Sequence, residues 1–491
     1  MTLNPSLLEV NTRVWLKQFA PGAKLSDIND SFLKDLEKRK IEILWLMGIW
    51  RTSKALAKKC CFGIDLVPGY TKALSDWKKD DVIGSPFAID DYIINPELGD
   101  EKDLLELKEK LNKNNIKLFL DFIPNHFGAD SVLLNSRPEI FLQTDKESFI
   151  KDPYAFFEYN AGHPVYVAHG RDPFFPPWDD TAQLNYFEPE TRDLMIEKLL
   201  YIASVADGVR CDMAMLPLNN VFQNTWLGVL SESNYVKPRD EFWKIAIGRV
   251  KEKFPDFIFL AEAYWGLEWQ LQQLGFDFTY DKTLTDRLAE GDVEGIKGHL
   301  HADKDFQMKS IRFIENHDEE RAITNLGRYK SFAAAVIIST IQGLRFYFDG
   351  QFEGKKIKLP VQLGREPSEK TSQPTLRFYN TLLAITGEKI FKNGNWLMLN
   401  PSHTHPANNS FENFLTWQWN LDNEYRIVVI NYSHINSQCR IVLELPTDKE
   451  EIQLEDLLTR TIYKRSVNEI RDPGLFIELK GYQSHIFSII L

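Results

Sequence analysis

The feature that most constrains this chain is a rhythm: short apolar runs rich in Ile, Leu, Val and Phe recur between amphipathic helical stretches. Runs without polar alternation suit strands of a parallel sheet buried on both faces, and the helices between them supply the crossovers. Eight strands are expected, at Thr12–Lys17, Ile41–Met47, Ile116–Phe122, Ala206–Asp212, Phe257–Glu262, Phe276–Tyr280, Ile311–Glu315 and Gly343–Phe348. Helices are expected at Asp103–Asn114, Glu190–Ala203 and Glu241–Phe254, where apolar residues return at helical spacing on a charged surface. Eight parallel strands close a barrel.

Two stretches break the rhythm. From about Phe127 to Asn185 the chain is rich in Pro, aromatics and His, too long for a bare loop after a third strand, and reads as an inserted subdomain. Beyond Lys392 alternating segments take over, at Phe414–Trp419, Tyr425–Asn431, Cys439–Leu445 and Ser484–Leu491, as in an antiparallel β-sandwich. The expected fold is α/β: a (β/α)8 TIM barrel over 1–126 and 186–392, an inserted subdomain B over 127–185, and a C-terminal β-sandwich over 393–491. With 43% hydrophobic and 26% charged residues, 491 residues can bury a core of that size.

Charge and cysteine usage narrow the function classes. Fifty-eight basic against 70 acidic side chains leave −12, which argues against a phosphate-backbone partner, so no nucleic acid is expected. Cys60, Cys61, Cys211 and Cys439 make neither a zinc spacing nor a disulfide framework, and reduced thiols fit a cytoplasmic protein. Met1–Gln18 lacks the apolar core of a signal peptide, and no run approaches the roughly 20 apolar residues of a membrane span. No membrane partner is expected, and the oligomeric state is unknown.

In such a barrel the active site forms at the C-terminal strand ends. Four runs end in chemistry-bearing residues: Asp121-Phe-Ile-Pro-Asn125-His126, Gly208-Val-Arg210-Cys-Asp212, Ala261-Glu262-Ala263-Tyr264-Trp265 and Glu315-Asn316-His317-Asp318. A lone strand-end carboxylate is as often a helix cap as a catalyst. Paired carboxylates with an Arg are what glycosidic cleavage needs, one to protonate the leaving oxygen and one to meet an oxocarbenium-like carbon. Arg210 shares a strand face with Asp212 and is expected to keep it ionised. Tyr264 and Trp265 are expected to desolvate Glu262, raise its pKa and offer faces to a sugar. Trp178 and Trp269 are weaker platform candidates, His163 and His169 read as ordinary loop histidines, Arg365 as a surface ion-pair partner, and Cys211 as a packed apolar residue on the opposite strand face.

These four strand ends, in this order, resemble the signature regions of the α-amylase family of glycoside hydrolases. By that resemblance Asp212 is the nucleophile, Glu262 the general acid/base and Asp318 the third carboxylate; His126, Arg210 and His317 line the subsite of the cleaved sugar. Gln183-Leu-Asn185 and Gly343–Gln351 are similar to two further family motifs. Where many members have Gly-Tyr this chain has Gly84-Ser-Pro-Phe87, so Phe87 stands in as the platform; Leu216 replaces a polar acceptor-subsite residue. Neutral Asn125 and Asn185 match positions of calcium ligands in some members and offer little charge, so no cofactor and no required calcium are expected. The resemblance implies a retaining hydrolase or transglycosylase acting on α-glucosidic linkages of α-glucans, malto-oligosaccharides or a small glucoside, with the carboxyls about 5–5.5 Å apart. The alternative is a catalytically silent carbohydrate-binding or scaffold relative; such relatives typically lose triad carboxylates, and all three are present here.

Overall fold

The computed structural model describes residues 2–160 and 164–490. Eight parallel strands close a barrel: β1 (Ser6–Asn11), β2 (Ile43–Met47), β3 (Lys117–Phe122), β4 (Gly208–Cys211), β5 (Ile258–Ala261), β6 (Phe278–Tyr280), β7 (Ser310–Arg312) and β8 (Leu344–Phe348). Each pairs with its neighbour in sequence, and β8 returns to β1 with Ser6 opposite Arg345 and Glu9 opposite Phe348. Alternate side chains point inward, so Leu7, Ile43, Trp45, Phe119, Leu260, Tyr280 and Phe346 fill the barrel, while Leu44, Leu120, Val209 and Cys211 face the surrounding helices. Gly208 has a steric reason: a Cβ there would stand 2.3 Å from the Phe119 ring that plugs the centre.

Seven strands lie within the expected runs, or one residue outside them. The first does not. Thr12–Trp15 is a short helix, and the strand precedes it at Ser6–Asn11. Thr12–Lys17 holds a consecutive Val-Trp-Leu run, which fits a helical turn as well as a buried strand, and the charge of Glu9 interrupts the apolar run Leu7-Leu8-Glu9-Val10 that forms the strand.

Within the insert, Gln143–Thr144, Pro164–Ala168 and Phe156–Asn160 form a three-stranded antiparallel sheet, and Thr181–Gln183 pairs with His126–Gly128 at the barrel rim. Past the helix Lys389–Asn393 comes a six-stranded antiparallel sheet, faced by the two-stranded pair Ser437–Ile441 and Leu475–Leu479. Ile427, Val429, Cys439, Ile441, Ile477 and Phe487 pack between the two sheets. The other face of the large sheet lies on the barrel, where Trp419 Nε1 donates to the Thr340 carbonyl at 2.6 Å.

Candidate active site

Strand geometry delivers the polar groups to one mouth. On β4, Arg210 points into the barrel and Cys211 outward, and Asp212 follows just past the strand end. Met213 then takes a left-handed backbone (φ 41°), which turns its N–H onto Glu262 Oε2 at 2.7 Å. A non-glycine residue held there is strained, and strain of this kind collects at functional sites.

Arg210 joins the two carboxyls directly. Its Nη1 donates to Asp212 Oδ1 at 2.7 Å and its Nη2 to Glu262 Oε2 at 2.6 Å. Glu262 Oε1 accepts from the Tyr264 hydroxyl at 2.8 Å. Asp318 reaches the same mouth from the loop after β7, with Oδ2 3.0 Å from His317 Nε2, and His317 Nδ1 lies 2.5 Å from Glu9 Oε1. Asp121 closes the floor, accepting from Trp45 Nε1 at 3.0 Å and Gly48 N–H at 2.7 Å.

Five carboxyls thus share two buried cations, Arg210 and His317. Burial raises Asp212 and Glu262 above the ordinary carboxylate range even against Arg210, and the neighbouring carboxylates push the same way. Asp121 rises to about 6 through burial, again opposed by Arg210. Arg210 is therefore not the private partner of Asp212 that its strand position suggests. It bridges both acids, and burial outweighs it at Asp212 as well as at Glu262. The group held down is Asp318: burial, which raises it, is overcome by His317, Arg210 and Lys358, and it falls to about 2. Protein crowds Asp318, yet 48% of its side-chain surface stays open to solvent, which is the access a sugar hydroxyl needs.

The remaining candidates fall around this centre. Phe87 lies near both the His317 ring (centroids 5.4 Å apart) and the Arg210 guanidinium (5.2 Å). His126 faces Trp178 at 5.4 Å, and burial lowers it to about 3, so it is a neutral imidazole. Tyr264, expected as a sugar platform, spends its hydroxyl on Glu262. Trp265, in the left-handed region and 39% exposed, meets Phe174 of the insert edge-to-face at 5.1 Å. Phe174 is itself 68% exposed, and nothing in its local sequence separates it from the other insert aromatics.

Other residues make contacts of their own. Trp269 packs near Phe306, and Leu216 is buried. Arg365 pairs with Asp81 and Asp76, and His169 contacts the Thr181 carbonyl through Nδ1. His163 lies outside the described residues. Glu9, the buried partner of His317, is the residue that strand-end motifs miss; its one signal is a charge in mid-run at Leu7-Leu8-Glu9-Val10.

At the positions matched to calcium ligands a side-chain amide intervenes. Gln183 Nε2 donates to Asn125 Oδ1 and to the Asn125 carbonyl at 2.9 Å each, and to the Leu184 carbonyl at 3.0 Å. A nitrogen donor among three oxygens takes the place a cation would need, and no carboxylate joins them, so the residues do not fit calcium there. Among the described residues no group of three or more His, Cys, Asp or Glu could hold a metal ion.

Comparison with known proteins agrees with this architecture. A noncanonic maltogenic α-amylase from Thermotoga neapolitana superposes with a TM-score of 0.71 at 20% identity, over 100% of this chain and 99% of that one, a likeness of fold. Alpha-amylase 3 of Dictyoglomus thermophilum is 24% identical over 328 residues, 62% of this chain and 60% of its own length. The alpha-1,4-glucan:maltose-1-phosphate maltosyltransferase of Picrophilus torridus is 23% identical over 278 residues, 54% of this chain and 38% of its own. This chain therefore spans about three fifths of the first relative and under two fifths of the second. The family model for the alpha amylase catalytic domain matches residues 63–374, more than half the chain and all four strand-end motifs, and the protein belongs to the α-amylase family.

Proposed function

We propose that this protein is a retaining glycosidase or transglycosylase that acts on α-glucosidic linkages of α-glucans, malto-oligosaccharides or a small glucoside. The observation that carries this reading is the Arg210 guanidinium bound at 2.7 and 2.6 Å to two acids, Asp212 and Glu262. One guanidinium spans both carboxyls, which keeps them close, as a double displacement needs.

Arg210 engages Asp212 Oδ1, and Oδ2 is the oxygen left to attack the anomeric carbon. Glu262 Oε2 is tied to Arg210 and Met213 N–H, so the transferable proton belongs on Oε1, where the Tyr264 hydroxyl can turn from donating to accepting. In the first half, Oε1–H protonates the leaving oxygen as the C1–O bond breaks and Asp212 bonds to C1. In the second, Glu262 takes the proton from water or a sugar hydroxyl, whose oxygen displaces Asp212 with overall retention. Asp318, ionised, accepts from ring hydroxyls, and Phe87 and Trp265 supply flat faces.

Incubating the protein with starch, malto-oligosaccharides, maltose, trehalose, sucrose and maltose 1-phosphate tests the reading. Proton NMR of fresh product should show the α-anomer first. The β-anomer first would refute retention, and binding of maltoheptaose without product by well-folded protein would favour the silent relative.

No calcium requirement is proposed, because Gln183 ties the insert to the barrel rim through Asn125. Exhaustive chelation should leave the melting temperature and turnover unchanged; a fall restored by calcium would refute this. A cytoplasmic setting is proposed from the four free buried thiols. Among the described residues no helix is long and apolar enough to cross a membrane.

A further inference from the structure

One buried acid takes no part in the chemistry just described. Glu9 sits in mid-β1 with no exposed surface. Its Oε1 is 2.5 Å from His317 Nδ1, a residue 308 positions away, and its Oε2 has no hydrogen-bond partner among the described residues. A fully buried carboxylate survives only when paired, and this pair has a single member on the other side. Beyond the ring, His317 Nε2 lies 3.0 Å from Asp318 Oδ2, an ion-pair contact whose angle does not make a hydrogen bond.

We infer that Glu9 is a positioning residue of the active site: from inside the first strand it clamps the His317 ring and, through that ring, fixes how the Asp318 carboxylate meets the sugar. The inference rests on the proposed glycosidase reading. An imidazole with a carboxylate at each nitrogen has a donor to offer both only when both nitrogens carry hydrogen. Glu9 thereby removes the choice of tautomer, and the Phe87 and Trp45 rings at 5.4 and 5.8 Å limit rotation. The charged groups facing this pair are Asp121 from β3, Arg210 and Asp212 from β4, and Lys358 from the loop after β8. Burial alone would discharge His317; Asp318 and Glu9 together overcome it and raise it well above the ordinary histidine range.

Glu9→Gln keeps the size of the side chain and removes its charge. Turnover should fall by about a hundredfold, the scale of a roughly 1 Å misplacement, with KM changing less. The acid limb of kcat should move to higher pH, because Asp318 loses the cation that holds it ionised. The 15N signals of the His317 ring, assigned by their loss in His317→Gln, should remain those of a doubly protonated imidazolium at pH 8 in the unmodified protein and become neutral at pH 7 in Glu9→Gln. A singly protonated His317 at pH 7 in the unmodified protein would overturn the inference whether or not the variant folds. So would full activity with an unmoved acid limb in Glu9→Gln. Should Glu262→Gln prove fully active, the glycosidase reading fails by itself, and the ring signals still decide the clamp.

Discussion

Glu262→Gln should fold and melt like the parent and lose about 10²–10⁴-fold in turnover on substrates with a sugar leaving group, the usual worth of general acid catalysis. The fold should survive because the amide oxygen can still accept from Arg210 and Met213 N–H, while the amide nitrogen donates to the Tyr264 oxygen. A glucosyl fluoride separates the roles. Fluoride departs without a proton, so glycosylation by Glu262→Gln should stay close to the parental rate while release of the sugar from Asp212 slows, and a covalent adduct should accumulate and be seen by intact-mass measurement. Asp212→Asn should instead be inert towards both donors, because it lacks the attacking oxygen. The alkaline limb of the parent's kcat profile, where Glu262 loses its proton, should vanish in Glu262→Gln. Parental turnover on maltoheptaose by this variant would remove Glu262 from the chemistry.

What the sequence could and could not convey follows from the range of each interaction. Strand ends are local: Arg210 and Asp212, or His317 and Asp318, are near neighbours in the chain, and strand alternation fixes which face they share. Barrel closure then brings the ends together whatever lies between, so the mouth could be named from seven well-placed runs. Glu9 could not, because its meaning is a contact 308 residues away and its strand is concealed by its own charge. The same holds for Gln183, where an expected motif proves to be a donor to three oxygens of the rim. Electrostatic direction is harder still. Counting one Arg beside one Asp predicts an ionised pair, whereas five carboxyls around Arg210 and His317 leave Asp212 raised and Asp318 lowered, a result that depends on burial and on every pair at once. Phe174 is exposed and close to Trp265 only because the insert folds back over the mouth.

Arg210 is where stability and chemistry meet. Arg210→Met should lower stability by about 3–5 kcal/mol, the scale for removing one partner of a buried ionic cluster, since Asp212 and Glu262 would stay buried without their shared cation. The loss should depend on pH with a definite sign. Both carboxyls are already raised in the folded protein, and without the guanidinium they rise further; a carboxyl raised on folding binds its proton more tightly in the native state, so stability is retained below the unfolded value near 4 and lost as pH climbs through the folded value. The variant should therefore melt closest to the parent in mild acid and fall behind progressively towards pH 8. Arg210→Lys separates charge from geometry: an ammonium is a point charge and cannot hold two carboxyls in a fixed fork. It should recover much of the melting temperature at pH 8 while turnover stays down by about a hundredfold or more, because Asp212 and Glu262 lose their common register. A melting deficit in Arg210→Met that is flat from pH 5 to 8 would mean that these carboxyls do not carry the charge burden assigned to them, and parental turnover in Arg210→Lys would mean that their spacing is set elsewhere.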